Sequence, residues 1–428
     1  MKIPHLRWWI AGLLFTATAI NYIDRQALSV VAPSLTKELH LTPVQYAGIL
    51  QGFLYAYTIM YLVSGILVDR WGTRAALAVF MVWWSSASIL HAWARTAGQL
   101  IFVRVLLGIG EPGNFMAGNR VVSEWYPPQE RAFVNGLGQS GAAVGAVVAA
   151  PLVVWLSGWL GWRSMFAVTG CLGFVWLGAW LLVYRVPGRH PWITAGELLL
   201  VQERDAAKRP PATGARWIEL WRLPQTWGLF GARFVADPVW WFYLFWLPKY
   251  LVEQHGLSML QMGMLAGLPY LTADIGSIAG GLLSGILVKR GRQVLEARSA
   301  VMLPFALLMP LNILLAFHPP VAIAIAIICI VTFSHMAWRT NLGTVTNDLY
   351  PTGMVGSISG MVAFATGLSG ALFTNLTGHM VQRFSYDIIF IVMGFMHPAA
   401  YLVFKLLVRG PVDKLVRGPE PSFNGAAV

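Results

Sequence analysis

Long apolar stretches recur along this chain, each close to the roughly 20 residues that a helix needs to cross a bilayer. They fall at 8–35, 44–68, 75–94, 98–125, 132–159 and 164–185, then at 226–251, 260–288, 298–317, 320–348, 355–382 and 388–408. No soluble domain buries that many such runs. Only helices or closed barrels satisfy their backbone groups inside lipid, and runs of this length read as helices. Charge content agrees. The 428 residues are 57% hydrophobic and 11% charged, against about 25% charged in a soluble domain. The expected fold is all-α and integral to the membrane, with twelve transmembrane helices in two six-helix bundles.

The formal charge of +12 would suggest nucleic acid in a soluble protein; in a membrane protein its placement matters more. With the N-terminus inside, the termini, the central polar segment and the loops after spans 2, 4, 8 and 10 hold 20 of the 30 lysines and arginines, and the opposite loops hold five. The positive-inside rule then puts both termini in the cytoplasm. The first run follows Lys2 and Arg7, and Asp24-Arg25 interrupts it with no small-residue cleavage pattern. It reads as the first span and not as a removed signal. Cys171 and Cys329 lie far apart in apolar runs, without metal-ligand or disulfide spacing. Neither a metal nor an organic cofactor is expected.

Internal repetition divides the chain. Gly65-Ile66-Leu67-Val68-Asp69-Arg70 is echoed by Gly285-Ile286-Leu287-Val288-Lys289-Arg290. Glu124-Trp125-Tyr126-Pro127 is echoed by Asp348-Leu349-Tyr350-Pro351. The expected organisation is an N-terminal bundle over 1–185, a cytoplasmic linker with some amphipathic helix over 186–225, a C-terminal bundle over 226–410 and a tail over 411–428. A parallel repeat of two such halves places a substrate site between them.

The segment from Gly65 to Arg74 reads G-x-L-x-D-R-x-G-x-R and resembles the loop 2–3 signature of the major facilitator superfamily. The resemblance implies that Asp69, Arg70, Arg74 and Arg131 gate the cytoplasmic end by holding the halves together. Asn21-Tyr22-Ile23-Asp24-Arg25, the run from Arg104 to Glu111-Pro112, and Pro127-Pro128-Gln129-Glu130-Arg131 resemble the anion:cation symporter branch. The stretch from Phe234 to Tyr250, with Ala273-Asp274-Ile275-Gly276, looks like its hexuronate transporters. The family resemblance covers nearly the whole chain. It implies a proton-coupled symporter in which the matching carboxylates, Asp24 and Glu111, couple protons, and in which spans 1 and 4 line the central cavity.

The residues themselves carry a parallel argument. A charge in mid-membrane is costly and stands as a functional hypothesis. Arg104 and Glu111 are seven apart, two turns along one helix face. Arginine stays protonated and offers a planar fork to carboxylates, so Arg25 and Arg104 are the candidate ligands of an organic anion. Desolvation favours the neutral form of a carboxylate and a neighbouring guanidinium favours the ionised form, so Asp24 and Glu111 can exchange protons as their surroundings change. The competing reading is a pair of static ion pairs, Asp24–Arg25 and Arg104–Glu111, locking helix packing.

Polar contacts to sugar hydroxyls are expected from Tyr22, Tyr57, Gln139, Ser369 and Asn375, with Trp240 stacking on the apolar face. Each of these polar groups is also read as an interhelical hydrogen bond. Asp237 precedes a proline and reads as a cap on a broken helix, and Arg339 is expected toward the cytoplasmic end of its span. The expected function is import of a small organic anion with protons, most simply a hexuronate such as glucuronate or galacturonate. An aldonate or aldarate is the alternative within the mechanism, and a drug or metabolite exporter the alternative of another class. The nine histidines are scattered, so no enzyme site is expected. A functional monomer in the inner (plasma) membrane completes the reading, with lipid, the organic anion and H⁺ as partners.

Overall fold

Helices account for nearly all of the regular structure in the computed structural model, which describes residues 2–205, 217–257, 261, 265 and 267–410. The expected tail at 411–428 and the middle of the linker at 206–216 lie outside the described residues. Helix α1 spans Leu6–Leu39, about 50 Å at 1.5 Å per residue. Helix α2, Pro43–Trp71, opens on a reciprocal capping box between Thr42 and Gln45 and closes at Gly72, whose φ of 78° suits a residue without Cβ. Helix α3 covers Thr73–Leu90. Helices α4, Ala97–Gly110, and α5, Pro112–Trp125, form one span whose ladder is interrupted at Pro112, which has no N–H to donate.

Helix α6, Pro128–Val183, holds two spans joined at Gly161, where φ reaches 77°. The linker contributes α7, Ala195–Asp205, and α8, Trp217–Leu220. Helices α9, Pro224–Ala236, and α10, Pro238–His255, meet at Asp237-Pro238. Then follow α11, Gly267–Lys289; α12, Val294–Leu308; α13, Val321–Leu349; α14, Val355–Phe384; and α15, Asp387–Leu407.

Among the described residues, ten helices are long and apolar enough to cross a membrane. Helix α1 and the α9–α10 pair are not among them, and each carries charge in its middle: Asp24 and Arg25 in one, Arg233 and Asp237 in the other. Large apolar side chains such as Val147, Val175, Leu182 and Phe317 are exposed, the surface that lipid covers in a multi-pass protein.

Two bundles follow from where the cores lie. The buried residues of one pair of hydrophobic clusters come only from residues 6–193, and those of the other pair only from 220–408. Glycines let the bundles touch. A Cβ on Gly65 would collide with the Gly356 carbonyl, one on Gly136 would lie 2.8 Å from the Ser277 oxygen, and one on Gly281 would collide with the Ala132 carbonyl. Small residues at such crossings allow backbone-to-backbone packing.

The N-terminal segment lies at the same end as these contacts. Glu197 of α7 accepts the backbone N–H groups of Leu6 and Arg7, both at 3.0 Å, and Arg7 also pairs with Glu130 at 3.0 Å. The end of α15 joins them there, because Gly228 near the start of α9 packs on Leu407 and Val408.

Candidate functional site

Close packing sets the N-terminal half of the site. Gly141 and Gly145 of α6 press against α1 at Phe15, Thr18, Ala19 and Tyr22, and Gly108 of α4 meets the Phe53 carbonyl of α2. Side chains from α1, α2 and α4 therefore converge. Arg25 donates from Nη2 and Nε to Oε2 of Glu111, at 2.6 and 3.0 Å, and from Nη2 to Asn21 Oδ1 at 3.2 Å. Its guanidinium lies 4.6 Å from the rings of both Tyr22 and Tyr57 and 5.4 Å from Phe53. Such stacking stabilises a cation by about 0.5–2 kcal/mol per ring. The Arg25 side chain stays 22% exposed while Glu111 is fully buried.

The other two charges are paired differently from either expected arrangement. Asp24 accepts from Ser88 Oγ at 2.8 Å through Oδ1, and its Oδ2 has no hydrogen-bond partner. Arg104 lies 5.9 Å from the Phe53 ring, with Nε and Nη2 lacking a protein acceptor. Glu111 Oε1 is likewise unpartnered. The ion pair that forms is thus Arg25–Glu111, between helices, in place of Asp24–Arg25 and Arg104–Glu111. Buried polar groups without partners are expensive. Here guanidinium donors of Arg104 and a carboxylate oxygen of Glu111 are left without protein partners.

In the C-terminal half, Arg233 donates to Asp237 Oδ1 at 3.2 Å, and Arg339 Nε lies 3.9 Å from the same oxygen. Thr366 donates to the other Asp237 oxygen. Asp237 makes no side-chain cap for α10, because these ion pairs occupy it, so the capping expectation is corrected. Arg339 is two turns short of Asn347 at the loop end of α13, and its Nη1 donates to Gln139 of the other half at 2.7 Å. It lies past the middle of α13, toward the loop end.

Trp240 stacks on His335, centroids 6.0 Å apart, and His335 Nδ1 is 2.9 Å from His397 Nε2. Ser369 is buried and donates to the Thr366 carbonyl at 3.2 Å. The Asn375 side chain lies outside the described residues.

The four residues expected to gate separate into two groups. Asp69 accepts the backbone N–H groups of Gly356 and Ser357 across the interface, at 3.0 and 2.6 Å, and pairs with Arg120 at 3.3 Å. Helix α14 has no side-chain cap of its own, so Asp69 serves as its N-terminal acceptor from the opposite bundle. Arg131 reaches Asp348 at 3.1 Å and the Asn347 carbonyl at 2.9 Å. Arg74 donates to the Leu181 carbonyl within its own half, and Arg70 is exposed.

Sequence reasoning passed over Phe53, Tyr61, Ser88, Arg298 and Asp348. Asp348 had a visible signal, its place in the repeat of Glu124-Trp125-Tyr126-Pro127.

This architecture of helices with charged residues buried among them has relatives. The sequence model of the Major Facilitator Superfamily matches residues 14–374. The chain belongs to the Major Facilitator Superfamily. It is a multi-pass membrane transporter and not an enzyme. Among superfamily relatives, the hexuronate transporter of Escherichia coli (strain K12) is 30% identical over 396 residues, 92% of this chain and 92% of that protein. The galacturonate transporter of Dickeya chrysanthemi is 32% identical over 329 residues, 76% of this chain and 95% of its own. Among solved superfamily structures, the proton:xylose symporter XylE bound to 6-bromo-6-deoxy-D-glucose aligns with a TM-score of 0.72. That alignment covers 94% of this chain and 95% of XylE at 17% identity, a likeness of fold.

Proposed function

We propose that this transporter imports a hexuronate, such as glucuronate or galacturonate, together with protons, by alternating access. The reading includes twelve spans, two six-helix bundles, cytoplasmic termini, residence in the inner membrane and action as a monomer. One observation carries it: Arg25, a partly buried cation, is held by Glu111, while the guanidinium of Arg104 nearby keeps donors with no protein acceptor. The names of the relatives at about 30% identity supply the sugar-acid class.

The coupling follows from competition. A carboxylate substrate and ionised Glu111 both seek the same guanidinium. A proton on Glu111 weakens its hold by removing the charge that makes the bond strong. Arg25 then turns to the substrate carboxylate beside Arg104, with Tyr22, Tyr57 and Gln139 placed for hydroxyls and Trp240 for the apolar face. Asp24 is the second proton acceptor.

With the halves joined at the end bearing Asp69 and Arg131, the site faces the opposite side, outward in this orientation. Rocking breaks those contacts and releases the load inward. Membrane potential contributes about 2.3 kcal/mol per net charge per 100 mV. A monoanion carried with one proton is therefore voltage-neutral, and a second proton adds that drive.

The test is uptake of labelled glucuronate into proteoliposomes, with and without an inward proton gradient, for wild type and Glu111→Gln. Gradient-driven accumulation that is lost in Glu111→Gln, with counterflow exchange retained, is the expected result. Accumulation that survives in the variant removes Glu111 from coupling. Failure to carry any hexuronate, with galactonate carried instead, sinks the substrate assignment.

A further inference from the structure

Asp274 is a carboxylate within a span that the mechanism above leaves idle. It stands on α11, partly buried beside the exposed Ile275. Among the described residues it has no hydrogen bond, no ion pair and no charged neighbour. A carboxylate at such a place is costly and calls for a partner. Asp24, Glu111 and Asp237 each have one, in Ser88, Arg25 and Arg233.

The ionisable groups of the neighbouring helices are engaged elsewhere. Helix α6 carries none from Ala132 to Leu160. On α13, His335 bonds His397 at 2.9 Å, Arg339 is 3.9 Å from Asp237, and Cys329 pairs with Thr272. On α12, Arg298 is held by Asp348 at 3.0 Å, and Glu296 lies in the first turn at the inner end. On α10, which Tyr270 of α11 reaches through the Tyr243 carbonyl at 3.3 Å, Tyr243 donates to Asn312, Lys249 pairs with Glu253 and His255 with Tyr250.

Position along α11 gives the carboxylate its meaning. Asp274 is seven residues from Gly281 and eleven from Gly285, so the three share one face of the helix. The two glycines lie against the Ala132 and Gln129 carbonyls of α6, in the contact that shuts the inner end. Asp274 continues this stripe two turns toward the open side. When the halves rock, the meeting point of α6 and α11 moves outward, onto Asp274 and the part of α6 without ionisable side chains.

The internal repeat supplies a control. Gly285 echoes Gly65, and the residue eleven before Gly65 is Leu54. Tyr61 and Gly65 of α2 close on Gly360 and Gly356 of α14, as Gly281 and Gly285 close on α6. Leucine therefore serves packing at the equivalent place, and the carboxylate of Asp274 has another purpose.

We infer that Asp274 is a proton-binding site read from the outer side, and that α11 closes on α6 there only when Asp274 is neutral. The inference rests on the outward-facing, alternating-access reading above. An ionised Asp274 shut against α6 would be a buried charge without a counter-ion. Its proton arrives from the open side and returns to that side on reopening, so it adds nothing to the transported charge. Asp24 and Glu111 couple the load; Asp274 sets the external pH at which the outer end can shut.

The experiment reads closure without substrate. Ala143→Cys lies seven residues beyond Gly136 on the face of α6 that meets α11, and is made in a Cys171→Ser, Cys329→Ser background. Its labelling by a charged maleimide is timed in nanodiscs at pH 5.5 and 8.5 and corrected for intrinsic thiol reactivity. With Asp274 present, the closed-to-open ratio should rise about 100-fold from pH 8.5 to pH 5.5, the factor set by excluding an intramembrane charge. In Asp274→Asn and Asp274→Leu that ratio should change by less than about threefold, because neither variant has a charge to exclude. Asp274→Glu should restore the pH response.

A full pH response in Asp274→Asn or Asp274→Leu overturns the inference, as does a response absent from the protein that keeps Asp274. If neither variant elutes monodisperse, Asp274 is a structural residue and the inference also falls. Ala143→Cys that is unreactive at every pH refutes the outward-facing reading itself. No sugar acid enters the assay, so a failed hexuronate assignment leaves its result intact.

Discussion

Neutralising Asp69 tests whether the closed end is held by electrostatics at a helix terminus. In Asp69→Asn one oxygen remains to accept an N–H group, the other becomes an NH2 that faces an N–H donor, and the charge facing the first turn of α14 is gone. A hydrogen bond to an ionised acceptor contributes about 1.5–3 kcal/mol and one to a neutral acceptor about 0.5–1.5 kcal/mol. Of the two bonds from Gly356 and Ser357, one is lost and the other becomes neutral, which at the low end of these ranges is about 2 kcal/mol in favour of the aspartate. The loss falls on the interface itself. Arg120, the other partner of Asp69, keeps Glu124 at 3.0 Å and the Val68 carbonyl at 2.7 Å, so no orphaned cation confuses the result.

At about 1.4 kcal/mol per tenfold, the open population at this end rises roughly 30-fold. The assay is hydrogen–deuterium exchange of the Gly356 and Ser357 amides in nanodiscs, whose rate follows the opening equilibrium when reclosing is fast. Exchange about 30-fold faster at these amides, with α3 unchanged, is expected. Unaltered protection at Gly356 and Ser357 would refute the reasoning, because the donors in question are the ones being measured.

Two further outcomes concern stability. Arg298 is fully buried, donating to Asp348 at 3.0 Å, Ser284 at 2.7 Å and, across the interface, the Pro128 carbonyl at 2.6 Å. Asp348 keeps Arg131 at 3.1 Å, so Arg298→Met should cost about 1.5–3 kcal/mol for the lost charged hydrogen bonds, and a thermal melt that shifts by less than a degree would contradict it. In the linker, His190 accepts the Trp192 N–H at Nδ1, 3.1 Å, and places Nε2 2.7 Å from the Val183 carbonyl, which fixes a neutral tautomer. Burial holds its imidazole below the ordinary value. The contact is therefore intact above the unfolded value of about 6.5 and weakens as pH falls below it. Faster amide exchange over 190–198 at pH 5.5 than at pH 7.5, after correction for intrinsic rates, checks this, and equal protection would exclude the histidine as the cause.

Much of the architecture was legible because lipid imposes a simple rule on sequence. Apolar runs coincide with the ten helices that, among the described residues, are long and apolar enough to cross a membrane. The break at Gly161 fell between two predicted spans. The charged residues of the site were also legible, since each interrupts an apolar run. Their partners were not. Whether Glu111 faces Arg25 or Arg104 depends on the rotation of α4 against α1, which the close approach of Gly108 to Phe53 and of Gly145 to Ala19 decides. Spacing within one helix holds no information about that. Asp69 was identified as a gate residue, but its acceptor role is toward main-chain N–H groups, which leave no trace in residue identity. The contact of Arg339 with Gln139 was not legible either, because the two lie 200 positions apart.

Glu111 and Asp237 share a placement: each immediately precedes a proline, Pro112 and Pro238, at the point where a span has one backbone bond fewer. The charge therefore sits at the most compliant joint of its helix. On the proposed coupling, loading the carboxylate and flexing the span would be one mechanical coordinate, and a ligand that grips a neighbouring arginine would pull on a hinge. In such a construction the signal from an occupied site to the bundle that must tilt has almost no distance to travel.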